Sequence, residues 1–223
     1  LAGGVAVAKS AAVSGALGLN VVLRDTVAGI GDRSTDLGSD DAAVSAENDV
    51  VVTAQSDDWS LLLEANVAGA DKVGVAGSIG IGVFVTETRA DIDDASVAAR
   101  DSVAVQARGD ALIGAVAGAA GVAAGTGAGI GLSSTVTVHD DTVTAEIGGG
   151  ATVTALGRGD GVEVATGGLD SSNERATRRL HGVAVSAVSA EFVAGVDVAG
   201  GVPGGVVGVA GSAAVNVLDE TTK

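Results

Sequence analysis

The chain has 223 residues, with 36 Gly and 47% hydrophobic residues, yet one Trp, two Phe and no Tyr, Met or Cys. Its formal net charge of −16, from 12 Lys plus Arg against 28 Asp plus Glu, sets it against nucleic acid and anionic lipid as partners. The absence of Cys excludes disulfides and thiol chemistry. With so few aromatics, Val, Ala, Ile and Leu must fill a narrow, repetitive interior.

Taken in chain order, the elements repeat. Gly15-Ala-Leu-Gly-Leu-Asn-Val21 leads to Asp25-Thr26, then to Ala28-x-Ile30, Val44-x-Ala46 and Val50-x-Val52. Gly77-Ser-Ile-Gly-Ile-Gly-Val83 leads to Glu87-Thr88, Ala90-x-Ile92, Val97-x-Ala99 and Val103-x-Val105. Ala128-Gly-Ile-Gly-Leu132 leads to Asp141-Thr142, Ala145-x-Ile147, Val153-x-Ala155 and Val162-x-Val164. Gly211 to Val217 leads to Glu220-Thr221. Every segment alternates with period two, the mark of a strand with one buried face, and Gly, Asp, Asn or Ser separates the runs. Extra residues fall in polar stretches, Asp32 to Asp41 and Gly167 to Leu180, where a loop bulges outward without disturbing register.

The pattern predicts an all-β fold, a parallel β-solenoid (right-handed β-helix, three-sided in section) built from super-repeats of about 55 residues. The units lie near 1–60, 61–110, 111–180 and 181–223 of a single segment. Each unit is expected to hold about three coils of about 18–20 residues, giving about eleven coils in a rod on the order of 50 Å long. Inward positions are expected to include Val44, Ala46, Val50, Val52, Ile92, Val97, Ala99, Val103, Val105, Val153 and Val164. Leu1 and Lys223 interrupt repeats rather than cap them, so the chain reads as an excerpt of a longer protein.

The phrases Gly211–Thr222 (GSAAVNVLDETT) and Thr88–Ala107 (TRADIDDASVAARDSVAVQA) resemble the repeats of very large secreted bacterial exoproteins, the filamentous-haemagglutinin-like and leukotoxin-type adhesins. The resemblance implies an extracellular or cell-surface adhesin stalk and supplies no catalytic residues.

Candidate sites are few. Arg108-Gly109-Asp110 and Arg158-Gly159-Asp160 would suit a receptor of the integrin type if exposed in a loop, although Gly-Asp is also ordinary turn chemistry here. Acidic pairs Asp40-Asp41, Asp93-Asp94 and Asp140-Asp141 are candidate Ca²⁺ ligands at stacked turns, but neither an EF-hand loop nor a β-roll nonapeptide accompanies them. No other cofactor is expected. His139 and His181 lack zinc spacing, no Ser stands in Gly-x-Ser-x-Gly, and Gly148-Gly149-Gly150 reads as a corner rather than a phosphate loop. An enzyme, specifically a polysaccharide-degrading β-helix, is therefore the least favoured reading. A binding module that uses turn Asp residues for Ca²⁺ or a receptor is the alternative to a structural stalk.

Ala111 to Val138 carries no charge and is long enough to span a bilayer, but its glycines and missing anchors argue against a membrane helix. The charge-poor parts Ser10–Leu23, Val73–Thr86, Ala111–Val138 and Val198–Leu218 have apolar or Gly residues at both sets of alternate positions. Stacked in register they would form an apolar stripe, with Gly77, Gly80, Gly82, Gly129 and Gly131 admitting a second backbone. The partners expected are other copies of the chain and a host or neighbouring cell surface.

Overall fold

Period-two alternation becomes strand faces throughout the computed structural model, which describes residues 1–31, 42–172, 174–205 and 207–223. The strands are β1 (Ala2–Ala8), β2 (Ala11–Gly31), β3 (Ala42–Ala46), β4 (Val50–Ala70), β5 (Val73–Asp93), β6 (Ala95–Ala99) and β7 (Val103–Ala123). They continue as β8 (Ala128–Ile147), β9 (Thr152–Ala155), β10 (Val162–Leu169), β11 (Arg175–Leu180), β12 (Val183–Val202) and β13 (Val207–Thr222). Three parallel sheets form a β-solenoid: β1-β4-β7-β12, which we call sheet A, β13-β8-β5-β2, sheet B, and β3-β6-β9, sheet C. Among the described residues no helix is long and apolar enough to cross a membrane, and Ala111 to Val138 lies in β7, β8 and the turn between them.

One circuit runs β4, β5, β6 and then β7, which pairs directly on β4 with Val50 against Val103. The repeat of about 55 residues is thus a single wide coil. This corrects the expectation of three coils per unit: sheets A and B have four layers each, not eleven. The stack is roughly 15–20 Å high, while a 21-residue strand such as β4 is about 70 Å long. The misreading comes from glycine. Most Gly residues expected at corners are extended inside the long strands, and few residues turn with positive φ. Gly31 (95°), Asp94 (47°) and Gly150 (77°) do so at successive passages from sheet B to sheet C, as expected for the Gly148–Gly150 run.

The coil has two parts. At one end the first residues of sheet A, the last of sheet B and all of sheet C enclose Val/Ile/Ala ladders, including Val50, Val52, Ile92, Val97, Ala99, Val103 and Val105. Val44, Ala46 and Val153 pack against this cluster, as expected. Val164 does not. It is buried with Val162, Ala104 and Ala184 on the outer side of sheet A, because β10 and β11 form an antiparallel hairpin that folds over that face. The residue stacked on Val103 is Val183, not Val162.

Beyond this three-sided base, sheets A and B continue face to face as a thin blade. Ala12, Ala68, Ala70, Ala76 and Ala119 fill its interior, and glycines let the two backbones touch. A Cβ placed on Gly74 would lie 2.7 Å from the Ala68 oxygen, and one on Gly129 would lie 2.8 Å from the Val202 nitrogen. Ordinary stacked sheets sit about 10 Å apart because side chains hold them there. Here hydrogen atoms replace those side chains.

Candidate functional site

Near its tip the blade interior is filled by Ala and Gly, with Leu62, Phe84, Ile113 and His139 enclosed nearer the base, and the alternate side chains of the same strands point outward. On sheet B, pairing across β2, β5, β8 and β13 aligns six outward rows, from Ala11/Val73/Ala128/Val207 to Val21/Val83/Val138/Val217. Ser134 is the one polar side chain in them. Leu17 and Leu19 are each 67% exposed and Ile79 is 50% exposed. The row Gly15/Gly77/Leu132/Gly211 forms the floor of a groove of about 720 Å³ beside the row Leu17/Ile79/Ser134/Ala213. Towards the base the face turns acidic at Asp25, Glu87, Asp140 and Asp219, while Lys9, Asp71 and Lys72 stand in the turns at the blade tip.

The outer face of sheet A is equally apolar. Trp59, Leu112 and Phe192 make its basal row, followed by Leu63/Val116/Val196 and Val67/Ala120/Gly200 towards the tip. Trp59 is 73% exposed. This second face was not foreseen, although the alternation Trp59-x-Leu61-x-Leu63 announces it.

Polarity that would normally lie outside is inside. Ser14 donates to Asn66 Oδ1 (3.0 Å), and Asn66 Nδ2 donates to the Gly77 carbonyl (2.7 Å). Thr135 donates through both its N–H (3.0 Å) and its hydroxyl (3.2 Å) to Asp197. Glu64 is buried opposite Gly18 and Gly80, where any side chain would collide with it, and neither carboxylate oxygen has a hydrogen-bond partner among the described residues. Burial pushes its carboxyl above the ordinary carboxylate range. Nearer the base, His139 Nδ1 lies 3.1 Å from Glu191 Oε2, and Ser189 donates to Asp141 Oδ2 (3.0 Å). Burial raises both the Asp141 and the Glu191 carboxyls.

The expected site residues are scattered. Asp40 and Asp41 lie outside the described residues. Asp140 is exposed and Asp141 interior, so alternation sends that pair to opposite faces of β8. Asp93 ends β5 and Asp94 forms the corner that follows, where the Asp94 N–H donates to the Gly149 carbonyl (3.1 Å). Among the described residues no group of three or more His, Cys, Asp or Glu is placed to hold a metal.

Arg108-Gly109-Asp110 lies within β7 rather than in a loop, with Asp110 bonded to Arg108 (2.6 Å) and paired with Arg175 of the hairpin. A cleft of about 630 Å³ between hairpin and sheet contains these groups and Glu163, whose partner is Arg179. Arg158-Gly159-Asp160 occupies an exposed turn laid against Asp101. The Gly161 N–H donates to Asp101 (2.8 Å) and lowers its carboxyl below the ordinary range.

Of the glycines assigned to self-association, only Gly77 faces outward. Gly80, Gly82, Gly129 and Gly131 face the interior, against Glu64, Phe84 and the backbones of sheet A, and this corrects their assignment. The apolar surface is real, but its rows are built by the alternate residues. No family model, curated protein or solved structure matches the chain.

Proposed function

We propose that the chain is a structural, non-catalytic stalk segment of a large secreted or cell-surface repeat protein, and that it associates through its apolar sheet faces into a bundle or filament. The observation that carries this reading is the inversion of the blade, with mostly small and polar residues inside and most of its Leu, Ile and Val outside. Monomeric proteins rarely leave contiguous apolar patches above a few hundred Å² exposed, and such patches mark contact surfaces. The resemblance to filamentous-haemagglutinin-like and leukotoxin-type repeats supports an extracellular stalk.

The direct test is the mass of the chain in solution by sedimentation across concentrations. A mass that rises to dimers or larger assemblies is expected; a monomer at every concentration refutes association. A receptor-binding reading is favoured by one observation, the exposed Arg158-Gly159-Asp160 turn. It predicts that Asp160→Ala abolishes cell attachment while Asp110→Ala does not, and equal attachment by all three proteins removes it.

A further inference from the structure

We infer that the contact between copies is made by the outer face of sheet B, strand-antiparallel, with the Leu17/Ile79 ridge of each copy seated in the Gly15/Gly77 groove of the other. This rests on the self-association proposed above and specifies its geometry. The two copies are related by a twofold axis parallel to the stack of coils. Such an axis reverses strand direction, keeps each layer opposite the same layer, and gives a self-complementary contact.

The six apolar rows then overlay in reverse order, first on sixth, second on fifth and third on fourth. The third row is Gly15/Gly77/Leu132/Gly211 and the fourth is Leu17/Ile79/Ser134/Ala213. Layer by layer, Gly15 meets Leu17 and Gly77 meets Ile79. In the next layer the sizes exchange, and Leu132 meets Ser134. In the last, Gly211 meets Ala213 and the pair is small on both sides. In these two central rows large therefore meets small wherever a large residue occurs, although the two positions swap roles between layers; the rows on either side set branched residues together, as Val13 on Leu19 and Ile130 on Val136. A face shaped only for its own sheet has no need of that exchange, because these side chains do not touch within one chain's interior. Close packing across an interface does need it.

Charge and area agree. Antiparallel overlay carries the acidic base of each copy past the tip turns of the other, where Lys9 and Lys72 outnumber Asp71. The alternative, with strands parallel and the layer order reversed, also sets large on small in the two central rows, as Gly77 on Leu132 and Leu17 on Ala213, but it brings the acidic bases together. Each outward residue covers about 32 Å² of sheet, so four strands by six rows present roughly 800 Å², about the area each partner contributes to a standard stable interface. Sheet A fits itself less well. The same overlay sets Val196 on Val198, large on large, in its central rows, and Phe192 on Val202 and Trp59 on Gly69 at its margins.

The test exchanges sizes in one layer. Gly77→Leu fills the groove and is expected to weaken association about tenfold or more. The double variant Gly77→Leu with Ile79→Ser reproduces the Leu132/Ser134 arrangement and is expected to restore it. Val116→Glu, on sheet A, is expected to leave association unchanged. Circular dichroism and the unfolding midpoint of each variant at low concentration check that the monomer fold persists. Association of Gly77→Leu as tight as wild type, or a double variant no better than the single one, overturns the proposed geometry. Loss through Val116→Glu alone overturns it in favour of sheet A and leaves self-association standing. A wild-type chain that is monomeric at every concentration removes self-association itself, and if that monomer also floats with phosphatidylcholine vesicles, the face meets lipid instead.

Discussion

The thinness of the blade can be challenged with one carbon atom. At Gly131 an added Cβ would lie 2.6 Å from the Ala119 oxygen and closer still to that of Gly200, both backbone atoms of the opposite sheet. Backbone held in two four-stranded sheets cannot swing away as a side-chain tip can. Relief requires the sheets to separate locally, which breaks the fit of the neighbouring Gly121 and Gly129 layers. Overpacking of this kind costs typically about 1–3 kcal/mol, and contact with rigid backbone puts Gly131→Ala at the upper end. Gly69→Ala is the matched control. It lies in the same blade on the outer side of sheet A, where an added Cβ would meet nothing within 4 Å. There alanine reduces the freedom of the unfolded chain and is expected to be neutral or to stabilise by about 0.5 kcal/mol. With a urea m-value of about 2 kcal/mol/M, the two variants separate by more than about 1 M in midpoint. If Gly131→Ala unfolds with Gly69→Ala, the sheets are not in backbone contact and the assignment of inner and outer faces fails.

Val105, fully buried between Val52 and Val185 in the ladder, is expected on replacement by Asp to lose about 3 kcal/mol or more by leaving an unpaired charge in the base; wild-type thermal stability would show the ladder to be misplaced. Arg175→Ala removes the pair that fastens the β10–β11 hairpin to Asp110, and limited proteolysis should then cut within 162–180 faster at an unchanged global midpoint. The pH dependence follows from Glu64, Asp141 and Glu191, all raised by burial. The folded chain retains protons that the unfolded chain releases, so stability falls as pH rises through and above the ordinary carboxylate range, and the unfolding midpoint should be higher near pH 5 than at pH 7. Asp101, lowered by its bond from Gly161, acts oppositely and loses its contribution only in stronger acid. Glu64→Gln should flatten the difference between pH 5 and pH 7; an unaltered profile would place that carboxyl in solvent.

The base of the solenoid was legible because identical residues recur in every layer. Val44, Val97 and Val153 stack, as do Ala46, Ala99 and Ala155, in the register their spacing implies. The blade was legible in composition but not in register. Aligning Ala128-Gly-Ile-Gly-Leu132 with Gly77-Ser-Ile-Gly-Ile81 follows like residues, whereas the structure pairs Gly77 with Leu132, four positions away. An even slip keeps each residue on its face, so the stripe survived the error. The odd slip did not. Equating Asp141 with Glu87 makes both outward, but Asp141 pairs with Thr86 and points inside. The carboxylates of Asp141 and Glu191 meet because β12 overlies β8 across the blade, a proximity no local pattern records. Strand length was hidden for a related reason, since glycine looks the same in a corner and in a close backbone approach.

The inversion of the blade also limits what can stabilise it. Within one chain the blade buries mainly Ala and Gly, whose small apolar area yields little at about 25 cal/mol per Å². Its backbone pairing is complete between layers, but a hydrogen bond contributes only about 1 kcal/mol net. The base, with its Val and Ile ladders, carries more of the stability arising inside the chain. The large apolar residues of the blade contribute when something covers them, and that contribution grows with the concentration of the covering partner. A repeat built this way separates two tasks. Sheet C and the base fix the register of successive coils, while the blade holds its outer rows in a flat array whose pairing is decided elsewhere. Single-residue changes on those rows, such as the exchange of Leu132 and Ser134 for Gly77 and Ile79, alter the shape offered to a partner without touching the ladders. Variation between layers is therefore tolerated most where it changes association, and least at Val97, Val103 and Val105, where it would change the fold.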